Sequence, residues 1–403
     1  MALHDIVRSE VLPGRATTLT FIAKAREAAA RGLDVISFGV GQPDAPTFPH
    51  IVEAGIRALE EGFTGYTETQ GIPELRKAIA DYLNERYGAG VSADEVIVTT
   101  GAKTALFVAM AAVLRPGDEV LIPEPSYPSY ASTARILGAR PVFVPLRWTG
   151  RGFELDVSAV EERLTERTKM IVLNNPHNPT GTVFNAQAVE ELVELASRRG
   201  IAVLADEIYD NFVYEGRFRS VLESARWRDV VLYVNGHSKT FSMTGWRLGW
   251  LVADRRLIPL LRFIAENVYS CAPSISQRAG VAALRGPWEP VREMVEEFRQ
   301  RRDIMVEELS KIPGVETYKP QGAFYVFPRL ARLVEQLGMT VEELVEHMIY
   351  SRGVVMIPGS VFPDKAGALH VRLSYALRPE RIREGMRRFR EEVENLLEEK
   401  AKR

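Results

Sequence analysis

"KMIVLNNPHNPTGTVFNAQAVEELVELASRRGIAVLADEIYD", residues 169–210, reads as a strand, a helix and a second strand in succession. "KMIVLNN" (169–175) and "IAVLAD" (201–206) are continuous apolar runs, as strands covered on both faces must be. Between them, residues 186–199 carry apolar side chains at helical spacing. This unit predicts two parallel strands joined by a helical crossover. Five more runs of the same kind flank it: "EVIVTT" (95–100), "EVLIP" (119–123), "RPVFVPL" (140–146), "VVLYVNG" (230–236) and "RLGWLVAD" (247–254). Helical periodicity recurs at 21–31, 50–61, 74–87, 288–310, 341–351 and 379–400, with Pro73 opening one helix and Gly32 closing another. The expectation is an α/β fold with a mostly parallel seven-stranded sheet. After about 287 the pattern changes to a long charged helix, short strands near 324–327, 353–356 and 369–374, and a terminal amphipathic helix. The expected division is therefore a large domain over 49–286 and a smaller α+β domain over 287–403, which the N-terminal segment 1–48 joins.

The chain has 403 residues, 46% of them hydrophobic and 26% charged, with a formal net charge of −2. That balance suits a globular protein and gives no sign of nucleic acid or an anionic membrane as partner. The longest apolar stretch, "ALFVAMAAVL" (105–114), is too short to cross a bilayer, and the N-terminus has no apolar signal core. The lone cysteine, Cys271, excludes an intramolecular disulfide and is expected to be buried. A soluble, cytoplasmic protein is expected. Of the 51 basic residues only 10 are lysines. A lysine in a protein that otherwise uses arginine raises the question of what arginine cannot do, and surrendering a proton to become a nucleophilic amine is one answer.

In an open α/β sheet, ligands gather at the carboxyl ends of the strands. Four of those ends here carry polar residues or glycine: Thr100-Gly101, Asn174-Asn175, Asp206 and Asn235-Gly236. "VTTGAKTAL" (98–106) runs from a strand through a glycine turn into a helix start, which suits a phosphate. It is neither the dinucleotide fingerprint nor the nucleotide-phosphate loop, so a nicotinamide cofactor is not expected. In "SKTFSMTGWRLGW" Lys239 follows a buried-type strand, and Arg247 stands among small and apolar neighbours expected to hold it partly buried against an anion. "NNPHNPTG" (174–181) has two Asn-Pro steps that impose a rigid path and present Asn178. "LADEIYD" offers Asp206 and Tyr209. Tyr66, in "GYTETQGIPELR" (65–76), read alone is a packed aromatic. In "ALHVRLSYAL" (368–377), alternation puts Arg372 opposite Leu369, Val371 and Leu373, with the geometry to grip a carboxylate, although an isolated arginine there also suits an exposed strand face. A ligand that needs a phosphate cradle, a carboxylate for a ring nitrogen, donors for a phenolic oxygen and an amine for an aldehyde is pyridoxal 5′-phosphate (PLP).

These motifs identify a resemblance. From about residue 12 to the C-terminus the chain resembles the class I, fold-type-I aminotransferases, in particular the aspartate aminotransferase-like group. The motifs "GQPD" (41–44), "GYTETQGIPELR", "VTTGAKTAL", "PEPSYPSY" (123–130), "NNPHNPTG", "ADEIY" (205–209), "SKTFSMTGWRLG" and "VRLSYA" (371–376) stand in the family's order. The resemblance implies that Lys239 bonds the cofactor as a Schiff base, that Asp206 pairs with its ring nitrogen, and that Tyr209 and Asn178 bond its phenolic oxygen. Tyr127 would stack on the ring. Gly101, Ala102, Lys103, Ser238 and Arg247 would hold the phosphate, with Tyr66 reaching in from the second subunit of a homodimer. Arg372, Gly41 and Asn178 would bind the substrate carboxylate. The implied reaction moves an amino group between an L-amino acid and a 2-oxo acid by a ping-pong mechanism, with Lys239 shuttling the proton.

Glu266 and Asn267 stand where some members have an arginine for a distal carboxylate. Lys103 and Arg15 are the substitutes, Lys103 because a thermophile-type subgroup uses a lysine there for acidic side chains. Tyr130 replaces a histidine that backs the aspartate in other subgroups. Aspartate/glutamate or broad specificity is expected; the alternatives are a PLP-dependent lyase, an aminotransferase for aromatic or branched substrates, and a non-catalytic regulatory protein of the same fold.

Overall fold

The computed structural model describes residues 8–12, 14–363 and 365–402. Its main sheet has seven strands in the order Val96–Thr99, Gly249–Val252, Val231–Gly236, Ala202–Asp206, Thr168–Asn174, Glu119–Glu124 and Arg140–Pro145. All seven expected runs are present. Gly249–Val252 is antiparallel to both of its neighbours and the other pairings are parallel. The five strands from Val96–Thr99 to Thr168–Asn174 are almost wholly buried, which is why their sequences are apolar without alternation. The edge strand Arg140–Pro145 is half-exposed.

Register decides where the polar strand ends meet. Asn174 lies beside Asp206, and Asp206 beside Val234, so two strand ends finish level. Gly249 lies opposite both Thr99 and Gly236. A Cβ on Gly249 would stand 2.6 Å from the Ala102 nitrogen, so only glycine lets the Gly101 turn close over the sheet.

Tyr325–Val326, Val371–Ser374 and Ile357–Pro358 form a separate antiparallel sheet; the helices Glu289–Ser310 and Val341–Arg352 pack against it, and Pro379–Ala401 packs against both of those helices. Ile36–Ser37 pairs in parallel with Val354–Val355, which ties the N-terminal segment to this C-terminal part. Pro73 takes the first position of the helix Pro73–Tyr87, and Gly32 adopts φ +90° just past the helix Thr18–Ala30. The helices Ser129–Ile136, Ile258–Tyr269 and Ser274–Arg285 were not expected from periodicity. On Ile258–Tyr269 the outer face is apolar too, with Leu260, Phe263 and Val268 exposed, so no clean stripe exists to read. Cys271 is partly exposed rather than buried, because it lies in the turn between those last two helices. Among the described residues no helix is long and apolar enough to cross a membrane, and no cluster has the makings of a metal site.

Candidate active site

Beyond the strand ends lies a cavity of about 550 Å³. Asp206, at its base, is 4% exposed. Its Oδ2 accepts a hydrogen bond from the Tyr130 hydroxyl at 2.8 Å, and its Oδ1 accepts one from the Ile208 N–H at 3.2 Å. Burial pushes the carboxyl up to about 6, while the Tyr130 and Ile208 hydrogen bonds and the charge of Lys239 work in the opposite direction. A buried carboxylate served by two neutral donors is only partly compensated, and a cation placed against it would be strongly held.

Lys239 lies one residue short of the end of the turn His237–Thr240, which the strand Val231–Gly236 feeds directly. Its Nζ donates to the Gly41 carbonyl at 2.6 Å. Burial, then the positive charges of Arg372 and Arg247, bring the amine down to about 8, with Asp206 pulling the other way. The amine is therefore far easier to free of its proton than a lysine in water.

Arg372 is 4% exposed, so the reading of an exposed strand face does not hold. Its Nη1 donates to Asn178 Oδ1 at 3.2 Å and its Nη2 to the Gly39 carbonyl at 2.8 Å. Its Nε is buried with no partner, and the rings of Tyr325 and Phe362 lie 4.6 and 4.9 Å from the guanidinium carbon. Among the described residues no carboxylate pairs with it. A buried guanidinium held only by neutral acceptors and rings has the chemistry to take an anion. Asn178 is itself positioned by Asn174, whose Oδ1 accepts from the Asn178 N–H at 2.8 Å while its Nδ2 donates to the Asp206 carbonyl at 3.0 Å. Tyr209 shares a hydrogen bond of 2.9 Å with the Tyr325 hydroxyl, and burial keeps its phenol well above the ordinary range and protonated.

Gly101, at φ +90°, opens the helix Ala102–Val113, whose first residues reach the cavity although Gly101 itself does not line it. Ala102, Lys103, Tyr127 and Ser238 line the wall there. The ring of Tyr127 packs edge-on against Tyr130, at 5.6 Å between centroids, and Lys103 Nζ lies 5.6 Å from the Tyr127 centroid. Arg247 also lines the cavity but is exposed, not partly buried. It follows the turn Thr244–Trp246 with φ +53°, and its guanidinium lies against Gly101. Among the described residues it donates only to the carbonyls of Thr244 (2.8 Å) and Thr100 (3.5 Å).

The cavity thus brings together Gly41, Ala102, Lys103, Tyr127, Asn178, Asp206, Tyr209, Ser238, Lys239, Arg247, Arg372 and Arg15. Tyr66 is not among its walls and is no packed aromatic: it is 93% exposed. Glu266 and Asn267 lie on the exposed side of their helix, away from the cavity. Sequence reasoning missed Tyr325, whose neighbours "AFYVF" signal a buried strand but not a hydroxyl aimed at Tyr209. It also missed Gly39 and Arg135. The residues present fit PLP: a buried carboxylate short of a counter-charge, an amine of lowered basicity beside it, and an orphaned arginine nitrogen share one cavity.

Residues 33–389 match the model of the family described as aminotransferase class I and II. An aspartate aminotransferase of Sulfurisphaera tokodaii is 47% identical over 94% of this chain and 96% of its own length. One from Sulfolobus acidocaldarius is 45% identical over 98% of this chain and the whole of its own. The crystal structure of the aspartate aminotransferase of Rhizobium meliloti superposes with a TM-score of 0.90 at 34% identity, covering 96% of this chain and 98% of that one. With the sheet order, the strand-end cavity and these matches in agreement, the chain belongs to the class I and II aminotransferase family and is a transaminase with that family's fold-type-I architecture.

Proposed function

We propose that the cavity binds PLP and that the enzyme moves amino groups between aspartate or glutamate and a 2-oxo acid. When bound, PLP supplies an aldehyde that captures amines and a ring that draws electrons from the carbon beside the captured nitrogen. Asp206 would hold the ring nitrogen protonated, with Tyr130 and the Ile208 N–H fixing its two oxygens. Tyr209 and Asn178 would bond the phenolic oxygen, and Tyr127 would cover the ring. The Gly101 turn, the backbone of Ala102 and Lys103, Ser238 and Arg247 would hold the phosphate. Arg372, with Gly41 and Asn178, would grip the α-carboxylate, orienting the substrate so that its Cα proton faces Lys239. Lys239 Nζ would take that proton and return it, which its lowered basicity favours.

The observation that carries this reading is Arg372, a buried cation with a vacant Nε and no carboxylate partner among the described residues, in one cavity with Lys239 and Asp206. The two relatives described above, both aspartate aminotransferases, support aspartate as donor. Lys103 and Arg15, both on the cavity wall, supply cations for a second carboxylate. We further propose a cytoplasmic homodimer, with Tyr66 completing the partner's phosphate site and the large and small domains dividing near 48 and 286. Support for the dimer comes from Tyr66 itself and from exposed Leu260, Phe263 and Val268 on one helix, since monomers seldom leave such apolar faces uncovered.

The test is a panel of amino acids mixed with the PLP-loaded enzyme in the absence of oxo acid. Aspartate and glutamate should bleach the visible absorption and release one oxo acid per site, and Lys239→Ala should remove both the band and the turnover. Release of ammonia over many turnovers would indicate a lyase instead, and preferential bleaching by aromatic or branched donors would overturn the dicarboxylate assignment.

A further inference from the structure

Among the described residues six basic side chains line the cavity, Arg15, Lys103, Arg135, Lys239, Arg247 and Arg372, against a single acidic one, Asp206. On the reading above, Lys239 and Asp206 face the cofactor, Arg247 its phosphate, and Arg372 the α-carboxylate. That leaves an excess of positive charge at the end bounded by the N-terminal segment and the helix Ser129–Ile136. Arg135 belongs to this excess and no sequence motif pointed to it. Ser132 and Arg135, three residues apart and so on one helix face, both line the cavity. Arg135 is only partly exposed, yet its guanidinium has no hydrogen bond or ion pair with any described residue. Arg8 donates to the Ile136 carbonyl at 3.0 Å, which draws the N-terminal segment across this helix end. A basic residue in a last helical turn also complements the helix dipole, but that role needs no position on a cavity wall.

We propose that Arg135 is a specificity residue that, together with Lys103, binds the distal carboxylate of dicarboxylic substrates. The inference rests on the functional reading above. The test is calorimetric titration of the PLP-loaded enzyme with maleate and with crotonate, an unsaturated monocarboxylate of equal carbon number. Loss of one charge-assisted hydrogen bond in Arg135→Gln should weaken maleate about tenfold while crotonate changes by less than about twofold. Arg135→Lys should recover part of the maleate affinity, which separates lost charge from a damaged fold. Unchanged maleate binding in Arg135→Gln, or equal losses for maleate and crotonate, would overturn the proposal. A wild-type protein that forms no visible band with PLP would instead overturn the functional reading on which it stands.

Discussion

Asp206→Asn should make the cofactor-free protein more stable at alkaline pH while weakening its hold on PLP. The carboxyl is raised from 3.8 to about 6 by burial. At about 1.4 kcal/mol per unit, the ionised form costs the cofactor-free protein about 3 kcal/mol. The sign is the reverse of a salt-bridged acid. Below about pH 4 the group is protonated in both folded and unfolded chains and costs nothing; between about 4 and 6 the folded chain holds the proton longer, so stability falls as pH rises; above about 6 the whole cost is present. Asparagine removes the charge but accepts with one atom only, so either the Tyr130 hydroxyl or the Ile208 N–H loses its acceptor, at about 1 kcal/mol. The net expectation is a gain of about 2 kcal/mol at pH 8 and a loss of about 1 kcal/mol at about pH 3. Urea unfolding of the cofactor-free wild type and variant, followed by tryptophan fluorescence across that range, measures the difference. Adding PLP should then stabilise the wild type far more than the variant. Two unfolding curves separated by the same amount at every pH would refute the reasoning, because the cost of Asp206 would then not be ionic.

Gly101→Ala should weaken PLP binding about tenfold or more, since the residue sits at φ +90° and its new methyl would stand 2.5 Å from Arg247 Nη2, forcing the guanidinium off the phosphate side; titration of the cofactor-free protein with PLP checks this. If Tyr66 completes the partner's site, a hybrid dimer of one Tyr66→Phe subunit and one Lys239→Ala subunit contains one site with every group intact. Its single active site should hold PLP as tightly as the wild type, and affinity no better than that of the Tyr66→Phe homodimer would show that Tyr66 acts within its own chain.

The sheet was legible because burial on both faces forces continuous apolar runs in its inner strands, and the seven expected runs are the seven strands, the half-exposed edge Arg140–Pro145 included. The helix Ile258–Tyr269 was not, because its exposed side is as apolar as its buried one. Lys239, Asp206 and Asn178 were legible for a related reason: each breaks an apolar context at or just beyond a strand end, and strand register then carries them to one place. What the chain does not announce is which polar groups meet across long separations. The Tyr130 bond to Asp206 joins residues 76 positions apart, and the Tyr209 bond to Tyr325 joins residues 116 apart. Arg247 illustrates the complementary failure. Its apolar neighbours implied burial, but one left-handed backbone angle turns its side chain outward, and no local composition encodes that angle in a residue other than glycine. Arg135 marks the same boundary from the other side. In sequence it is one arginine among 41, and only the helix face that it shares with Ser132 sets it apart as a cation whose guanidinium has no partner among the described residues on the cavity wall.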